Sequence, residues 1–219
     1  PELRSSAAAD RALAAALAAG ALAGYAAGAC PTIYVGDSGE LVAAVHTLGI
    51  PHPSGYPLYV LAGKLWTVLV PLGSVAYRMS LFSALFAALA VGLVYLAARA
   101  LATGRAVAAA AAILFAASPS FWGEANVQRV YALNALFVAL ATLLAIRRDA
   151  AVSEGKDVHR GERLFVETAL VCGVGAANHT FLAVWGALFL LFALVRDRGL
   201  VRRWRTLIAA SGAALRAAA

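Results

Sequence analysis

The sequence predicts an all-α membrane protein, a polytopic bundle of about six transmembrane helices with the start of a seventh. Of its 219 residues, 63% are hydrophobic and 13% are charged, whereas a soluble domain carries roughly 25% charged residues. The apolar residues form long segments, and most Lys and Arg residues lie in short clusters between them. We therefore attribute the net charge of +7 to membrane topology and expect the lipid bilayer, not nucleic acid, as a partner.

The first apolar segment has about 24 residues without a charge, enough to cross a hydrocarbon core of about 30 Å. It is longer than the roughly 7–15 apolar residues of a secretory signal, so we expect it to remain uncleaved. Its Gly20, Gly24 and Gly28 are spaced for close helix packing, either within the chain or between copies. The predicted spans are 12–35, 75–98, 106–117, 130–146, 164–177 and 181–195, and a seventh begins near Leu207.

The distribution of basic residues predicts how these spans are oriented. With six spans, most of the 18 Lys and Arg residues fall on the inner side, and Lys64, Arg78 and Arg129 fall on the outer side. Cytoplasmic loops carry this excess of positive charge. We therefore expect a cytoplasmic N-terminus and a chemically active outer face, in a bacterial plasma membrane.

We interpret the chain as a single transmembrane domain over residues 1–219. Residues 36–74 are predicted to form the first extracytoplasmic loop, and the polar residues 147–163 a cytoplasmic loop. The chain begins with Pro1 and stops within an apolar run, so we expect it to be the N-terminal part of a longer protein. Such a part need not be active by itself.

Two short helices are predicted in the first outer loop. Leu41, Val45 and Leu48 have helical spacing within 38–49, and a second apolar helix is expected over 58–70. Three prolines and two glycines between them enforce a rigid, non-helical turn. Both helices are too short to span a bilayer, so we expect them to lie along the outer interface or to be re-entrant.

The acidic residues of this loop are the first candidates for catalysis. A carboxylate at the membrane surface can act as a general base toward a hydroxyl, and a second can bind a divalent metal or orient the first. Asp37 is the candidate base, and Glu40 is the candidate partner or metal ligand. Alternatively, both side chains merely complement the N-terminus of a helix.

The remaining polar residues of the outer connections are candidates for binding. His46 and His52 suit a metal or a phosphate oxygen, or serve as structural hydrogen-bonding groups. Arg129 suits a phosphate, or pairs with Glu124. His179, at a tight turn between two apolar segments, is either a helix cap or a donor directed into a cavity.

Two other classes of function compete with an enzyme. In a transporter or channel, Asp37, Glu40 and Arg129 would line a polar pathway with an outer vestibule. Such a pathway predicts charges deep within spans, whereas these charges lie at span ends on one side, which favours chemistry at the interface. A membrane scaffold is the third class, and the rigid proline-rich loop beside paired acids argues against it.

Four sequence motifs carry a resemblance to a known family. They are Asp37-Ser-Gly-Glu-Leu41, Leu48-Gly-Ile-Pro-His-Pro-Ser-Gly-Tyr-Pro-Leu-Tyr59, Val130-Tyr-Ala-Leu-Asn-Ala-Leu-Phe137 and Asn178-His179. In this order they resemble the N-terminal part of the protein O-mannosyltransferase-like membrane proteins, a bacterial family that includes an animal O-mannosyltransferase. The resemblance runs from about residue 12 to residue 195.

The resemblance implies a glycosyltransferase of the GT-C type, a multi-span α-helical enzyme with an acidic motif in its first outer loop. Such enzymes take a sugar, here expected to be mannose, from a polyprenyl-phosphate carrier to a hydroxyl of a protein or glycan. Asp37 then corresponds to the carboxylate that deprotonates the acceptor, and Glu40 to its acidic neighbour. The cofactor is left open, and a divalent metal held by these two residues is the candidate.

The resemblance also implies roles in substrate binding along the later motifs. The residues concerned, besides the histidines, are Tyr56, Tyr131, Asn134 and Asn178. The donor phosphate would be held by Arg129, by Arg78 or by a metal. One departure is that the family usually has Glu-Val before the Tyr131 motif, whereas this chain has Arg129-Val130, so no second carboxylate is implied there.

Overall fold

The computed structural model describes residues 2–153 and 157–218, and every regular element in these ranges is helical, which confirms the all-α prediction. The helices are α1 (Glu2–Ala27), α2 (Ser38–Thr47), α3 (Pro57–Leu69), α4 (Val75–Ala100), α5 (Arg105–Ala117), α6 (Pro119–Ala125), α7 (Tyr131–Ser153), α8 (Val158–Ala176), α9 (Phe181–Arg196), a 3-10 helix (Arg198–Arg202) and α10 (Trp204–Ala218). The chain divides into two compact units, Pro1–Leu136 and Phe137–Ala219.

Two of the described helices are long and apolar enough to cross a membrane. They are the Ser6–Ala27 part of α1 and the whole of α4, and α5 with α6 makes a third if this pair, bent by 65°, is one span. Two or three candidate spans by length and composition fall short of the predicted six, so the six-span topology is not confirmed. The described helices are nonetheless those of a membrane protein.

The first unit is built around small residues that bring α1, α4 and α5 close together. A Cβ atom on Gly92 of α4 would lie only 3.1 Å from the carbonyl oxygen of Ala14 in α1. A Cβ atom on Gly24 would lie 3.2 Å from the Trp122 side chain of α6. A Cβ atom on Gly28 would lie 2.8 Å from the side chain of Asn126, the residue that follows α6. Gly24 and Gly28 therefore pack within the chain, whereas a Cβ atom on Gly20 would meet nothing within 4 Å.

Local sequence signals place most helix boundaries, with two corrections in the first unit. The first apolar segment, expected over 12–35, ends as a helix at Ala27, where Gly28 follows and Pro31 cannot continue a helix. The stretch between the predicted spans 106–117 and 130–146, for which no helix was predicted, contains α6. Proline is favoured at the first helical position, where its missing N–H has no helical partner in any case.

The two short helices predicted between residues 36 and 74 are present as α2 and α3, and α3 exposes an apolar face opposite its buried one. α3 buries Tyr59, Val60 and Gly63, while its opposite face exposes the apolar side chains of Leu61, Leu65, Val68 and Leu69. An exposed apolar stripe of this kind is suited to contact with lipid or with other apolar surfaces.

The second unit contains the rest of α7, together with α8, α9, the 3-10 helix and α10. Much of the polar stretch 147–163 is helical, because α7 continues to Ser153 and α8 begins at Val158; its residues 154–156 lie outside the described residues. Arg148 is only 1% exposed and donates to Asp197 at 2.7 Å, so a buried ion pair ties α7 to the connection after α9.

Candidate functional site

Asp37 stands immediately before α2, at the end of an irregular segment that comes after α1. Its backbone carbonyl accepts from the N–H of Leu41 at 2.9 Å, and its side chain makes no capping hydrogen bond. The carboxylate is exposed, and within the described ranges no side chain or N–H group donates to it. A negative charge at this position is stabilised by the helix dipole, yet the oxygens remain accessible to a substrate.

The segment that leads to Asp37 is fixed by a residue that the sequence analysis did not identify. Gln128 is fully buried. Its side-chain oxygen accepts from the N–H of Tyr34 at 3.1 Å, and its amide nitrogen donates to the carbonyl of Thr32 at 2.9 Å and to the hydroxyl of Ser80 at 2.6 Å. Its own carbonyl accepts from Ser38 at 3.2 Å, so one residue holds both sides of Asp37.

A sequence signal for Gln128 does exist. The residue is an uncharged amide between Val127 and Val130, and a buried amide requires hydrogen-bond partners. Gln128 lies between Glu124 and Arg129, which were both predicted to be site residues, but it was not among the candidates itself.

Arg129 also reaches the segment before Asp37. Its Nη2 donates to the carbonyl of Val35 at 3.2 Å, and its Nη1 lies 3.4 Å from a carboxylate oxygen of Glu124. A Cβ atom on Gly36 would come within 3.0 Å of Nη2, and Gly36 has a φ of +78°. Of the two interpretations left open for Arg129, the structure shows the pairing with Glu124 and adds a backbone contact beside the candidate base.

Glu40 contacts the proline-rich turn that follows α2. One of its oxygens accepts from the backbone N–H of His52 at 2.6 Å, and the other lies 2.8 Å from Nδ1 of the same residue. The Nε2 atom of His52 is 2.8 Å from the hydroxyl of Tyr56. Hydrogen bonding to His52 holds the pKa of the Glu40 carboxyl below its usual range.

Tyr56 is the point at which several candidates meet. Its side chain is buried, and it adopts a left-handed conformation immediately before Pro57 begins α3. Burial raises the pKa of its phenol, and Tyr131, Asp37 and Glu40 raise that pKa further. The geometry links the Tyr56 hydroxyl through His52 to Glu40.

Asn134 lies on the first turn of α7, after Tyr131. Its side-chain oxygen is buried and accepts no hydrogen bond from the described residues. A buried acceptor without a donor is costly, so this carbonyl is suited to a hydroxyl or an amide group supplied by a ligand.

His46 and Arg78 have different surroundings. His46 is exposed on α2, and its carbonyl accepts from Lys64 at 2.6 Å. The Arg78 guanidinium donates to the carbonyls of Thr67 at 2.9 Å and Gly73 at 2.9 Å, and also to that of Leu72. Arg78 therefore closes the turn between α3 and α4.

Asn178 and His179 belong to the second unit, at the turn between α8 and α9. Asn178 is fully buried, and the backbone N–H of each residue donates to the carbonyl of Gly175. Nδ1 of His179 accepts from the N–H of Phe181 at 3.2 Å. Of the two interpretations left open for His179, this contact is that of a helix cap.

Comparison with known families gives the chain its relatives. The family model described as "Protein O-mannosyl-transferase TMEM260 N-terminal domain" matches residues 37–200, which is more than half of the chain. The chain belongs to this family. The match begins at Asp37 and includes every candidate site residue.

Two members of the family show how far the similarity extends. Protein O-mannosyl-transferase TMEM260 of Mus musculus is 35% identical over 168 residues, which are 75% of this chain and 23% of that protein. Protein O-mannosyl-transferase tmem260 of Dictyostelium discoideum is 28% identical over 178 residues, 77% of this chain and 22% of that protein. The chain spans less than a quarter of the length of these relatives.

No solved structure matches the chain, so the GT-C fold that the resemblance implies stays a prediction. Both family members come from eukaryotes, so the expectation of a bacterial plasma membrane finds no support in them. The residues 2–153 and 157–218 contain no group of three or more His, Cys, Asp or Glu side chains placed to hold a metal ion. Both oxygens of Glu40 are already engaged by His52.

Proposed function

We propose that this chain is the N-terminal, base-carrying part of a membrane glycosyltransferase. The enzyme transfers a sugar, mannose by the names of the relatives, from a polyprenyl-phosphate-linked donor to a hydroxyl group of a protein. The observation that carries the proposal is the exposed Asp37 carboxylate, held between residues that Gln128 fixes on both sides, at the first residue of the family match.

The reaction rests on what a fixed carboxylate can do. The acceptor hydroxyl approaches Asp37, and its oxygen forms a bond to the anomeric carbon of the sugar. The bond between that carbon and the phosphate oxygen breaks, and the lipid phosphate leaves with the electron pair. Asp37 takes the proton of the hydroxyl. A single displacement of this kind inverts the configuration at the anomeric carbon.

Arg129 is our candidate for the cation that stabilises the leaving phosphate. Its guanidinium lies beside the segment that ends in Asp37, and its contact with Glu124 is long, at 3.4 Å. Its Nε atom is buried and donates to none of the described residues. Arg78, by contrast, uses all three guanidinium nitrogens on backbone carbonyls, so we assign it to the support of the loop.

We further propose six spans with a cytoplasmic N-terminus, which places the Asp37 loop on the extracytoplasmic face. The asymmetry of Lys and Arg supports this orientation. The exposed apolar stripe of α3 supports a position of the loop at the membrane interface, where a lipid-linked donor could enter from the side.

The direct test is sugar transfer in membranes that contain the full-length protein. Radiolabelled polyprenyl-phosphate mannose and glucose are supplied as donors, and transfer to protein is counted for the wild type and for Asp37→Asn. Loss of a general base costs about 10²- to 10⁴-fold in rate, so we expect label near background in the variant. Glu167→Gln removes a carboxylate that pairs with Arg163 in α8 and should leave transfer unchanged. Undiminished transfer by Asp37→Asn contradicts the proposal.

A further inference from the structure

Glu40, His52 and Tyr56 form a continuous hydrogen-bonded chain that joins the start of α2 to the start of α3. Glu40 lies on the first turn of α2, and Tyr56 directly precedes α3. The three contacts measure 2.6 Å from the His52 N–H to Glu40, 2.8 Å from Nδ1 to Glu40, and 2.8 Å from Nε2 to the Tyr56 hydroxyl. The turn 51–56 is thereby tied to both helices.

The donors and acceptors of this chain match when His52 is neutral. A carboxylate only accepts, so it takes the Nδ1 proton of the imidazole. Nε2 is then the acceptor, and the Tyr56 hydroxyl donates to it. The two rings also meet edge to face, with centroids 5.2 Å apart and an interplanar angle of 77°, which is a favoured aromatic geometry.

The position of Tyr56 depends on this chain of contacts. Tyr56 has a φ of +45°, a left-handed conformation that is strained for a residue with a side chain. The conformation persists because its surroundings impose it. The ring of Tyr56 is buried, and its hydroxyl is held by His52.

We propose that Glu40 is a positioning residue: it acts through His52 to fix Tyr56 at the start of α3, and it is neither a second catalytic carboxylate nor a metal ligand. This inference rests on the proposed role of Asp37 as base. The two acidic residues of the motif then have different roles. Asp37 contacts the substrate, and Glu40 fixes the side chain against which the substrate is placed.

Two substitutions of Glu40 separate positioning from chemistry. In Glu40→Ala the hydrogen-bonded chain from Glu40 to Tyr56 is broken. We expect the resulting misplacement of Tyr56 to lower kcat by about 10- to 100-fold. In Glu40→Gln the amide oxygen can accept from the His52 N–H while its NH₂ donates to Nδ1, so the opposite tautomer keeps all three contacts. We expect Glu40→Gln to retain kcat within about 3-fold, with KM for the donor unchanged in both variants. Equal losses in Gln and Ala variants indicate a required carboxylate and overturn the proposal.

A double-mutant cycle tests whether Glu40 acts through His52. The effects of substitutions at residues that act as one unit are non-additive. The kcat of the double variant Glu40→Ala/His52→Ala should therefore lie within about 3-fold of that of the slower single variant. If the two losses multiply, the residues have separate roles and the proposal fails. The same kinetics are measured across a series of Mg²⁺ and Mn²⁺ concentrations, and a shift in metal dependence for Glu40→Gln also counts against it.

Amide hydrogen exchange of the loop needs no activity. Without any substrate, Glu40→Ala should accelerate exchange at His52 and across 51–56 by about 10-fold, while Glu40→Gln should change it by less than about 3-fold. His159→Gln, which removes an exposed histidine of the second unit, is the control for loss of a titratable ring and should have no effect here. If exchange is faster in Glu40→Ala but the wild-type protein transfers no sugar, the proposed function is refuted and the positioning role of Glu40 stands. If exchange is unchanged in Glu40→Ala, the positioning role itself is wrong.

Discussion

Replacing Gln128 with Leu should release the segment that presents Asp37 while leaving the surrounding helices folded. Leu fills nearly the same volume, so the substitution opens little cavity. It removes the hydrogen bonds of the side chain to Tyr34, Thr32 and Ser80. The effect is therefore confined to polar contacts and can be worked out bond by bond.

The magnitude depends on the exposure of the three partners. A net contribution of about 0.5–1.5 kcal/mol applies to each hydrogen bond. Thr32 and Tyr34 are exposed, so water replaces the lost partner and the lower end applies to each. Ser80 is fully buried but keeps its hydrogen bond to the carbonyl of Cys30 at 2.8 Å. The middle of the range therefore applies to the bond that Ser80 loses. The total is about 2 kcal/mol, or about a 30-fold increase in local opening.

Amide hydrogen exchange of the full-length protein measures this opening directly. Exchange across 32–36 should accelerate by about 30-fold in Gln128→Leu, and transfer should fall with it. Gln128→Glu keeps an acceptor for the N–H of Tyr34 but loses both donated bonds, so its exchange should be intermediate. If Gln128→Leu changes exchange in this segment by less than about 3-fold, Gln128 does not hold Asp37 in place and our account of the site is wrong.

Three further outcomes are expected. Because His52 lowers the pKa of Glu40, the contact stabilises the loop above the ordinary carboxyl pKa and is lost as the pH falls through the lowered value. Protection of 51–56, measured by exchange corrected for its intrinsic pH dependence, should therefore fall at acidic pH, whereas protection that stays flat across the acidic range in which the protein remains folded contradicts the contact. Gly36→Ala should lower the thermal midpoint through a cost of about 1–2 kcal/mol, because a side chain is strained at a φ of +78°; an unchanged midpoint argues against that conformation. Arg148→Ala should destabilise the protein by about 3 kcal/mol in denaturant unfolding, because it strips the buried Asp197 of one partner, and a loss below about 1 kcal/mol would show that the pair is not needed.

Much of the helical order was predictable because its signals are local. α3 begins at a proline and α4 ends at the expected basic cluster, and each cue acts within a few residues of the boundary that it sets. The correction at α6 has a local reason as well, since a proline that ends one helix can also begin the next. Six spans were predicted from apolar runs, whereas two or three of the described helices qualify as spans by length and composition.

The sequence by itself determined the class of the protein, the family motifs and Asp37 as the residue to test. Composition, periodicity and motif order are properties of the chain that need no three-dimensional partner. Only the tertiary structure decided which polar groups meet, because the contacts of Gln128 with Tyr34 and of Glu40 with His52 join residues 94 and 12 positions apart. Such pairs depend on how the helices pack and how the proline-rich turn is shaped, and a linear pattern records neither.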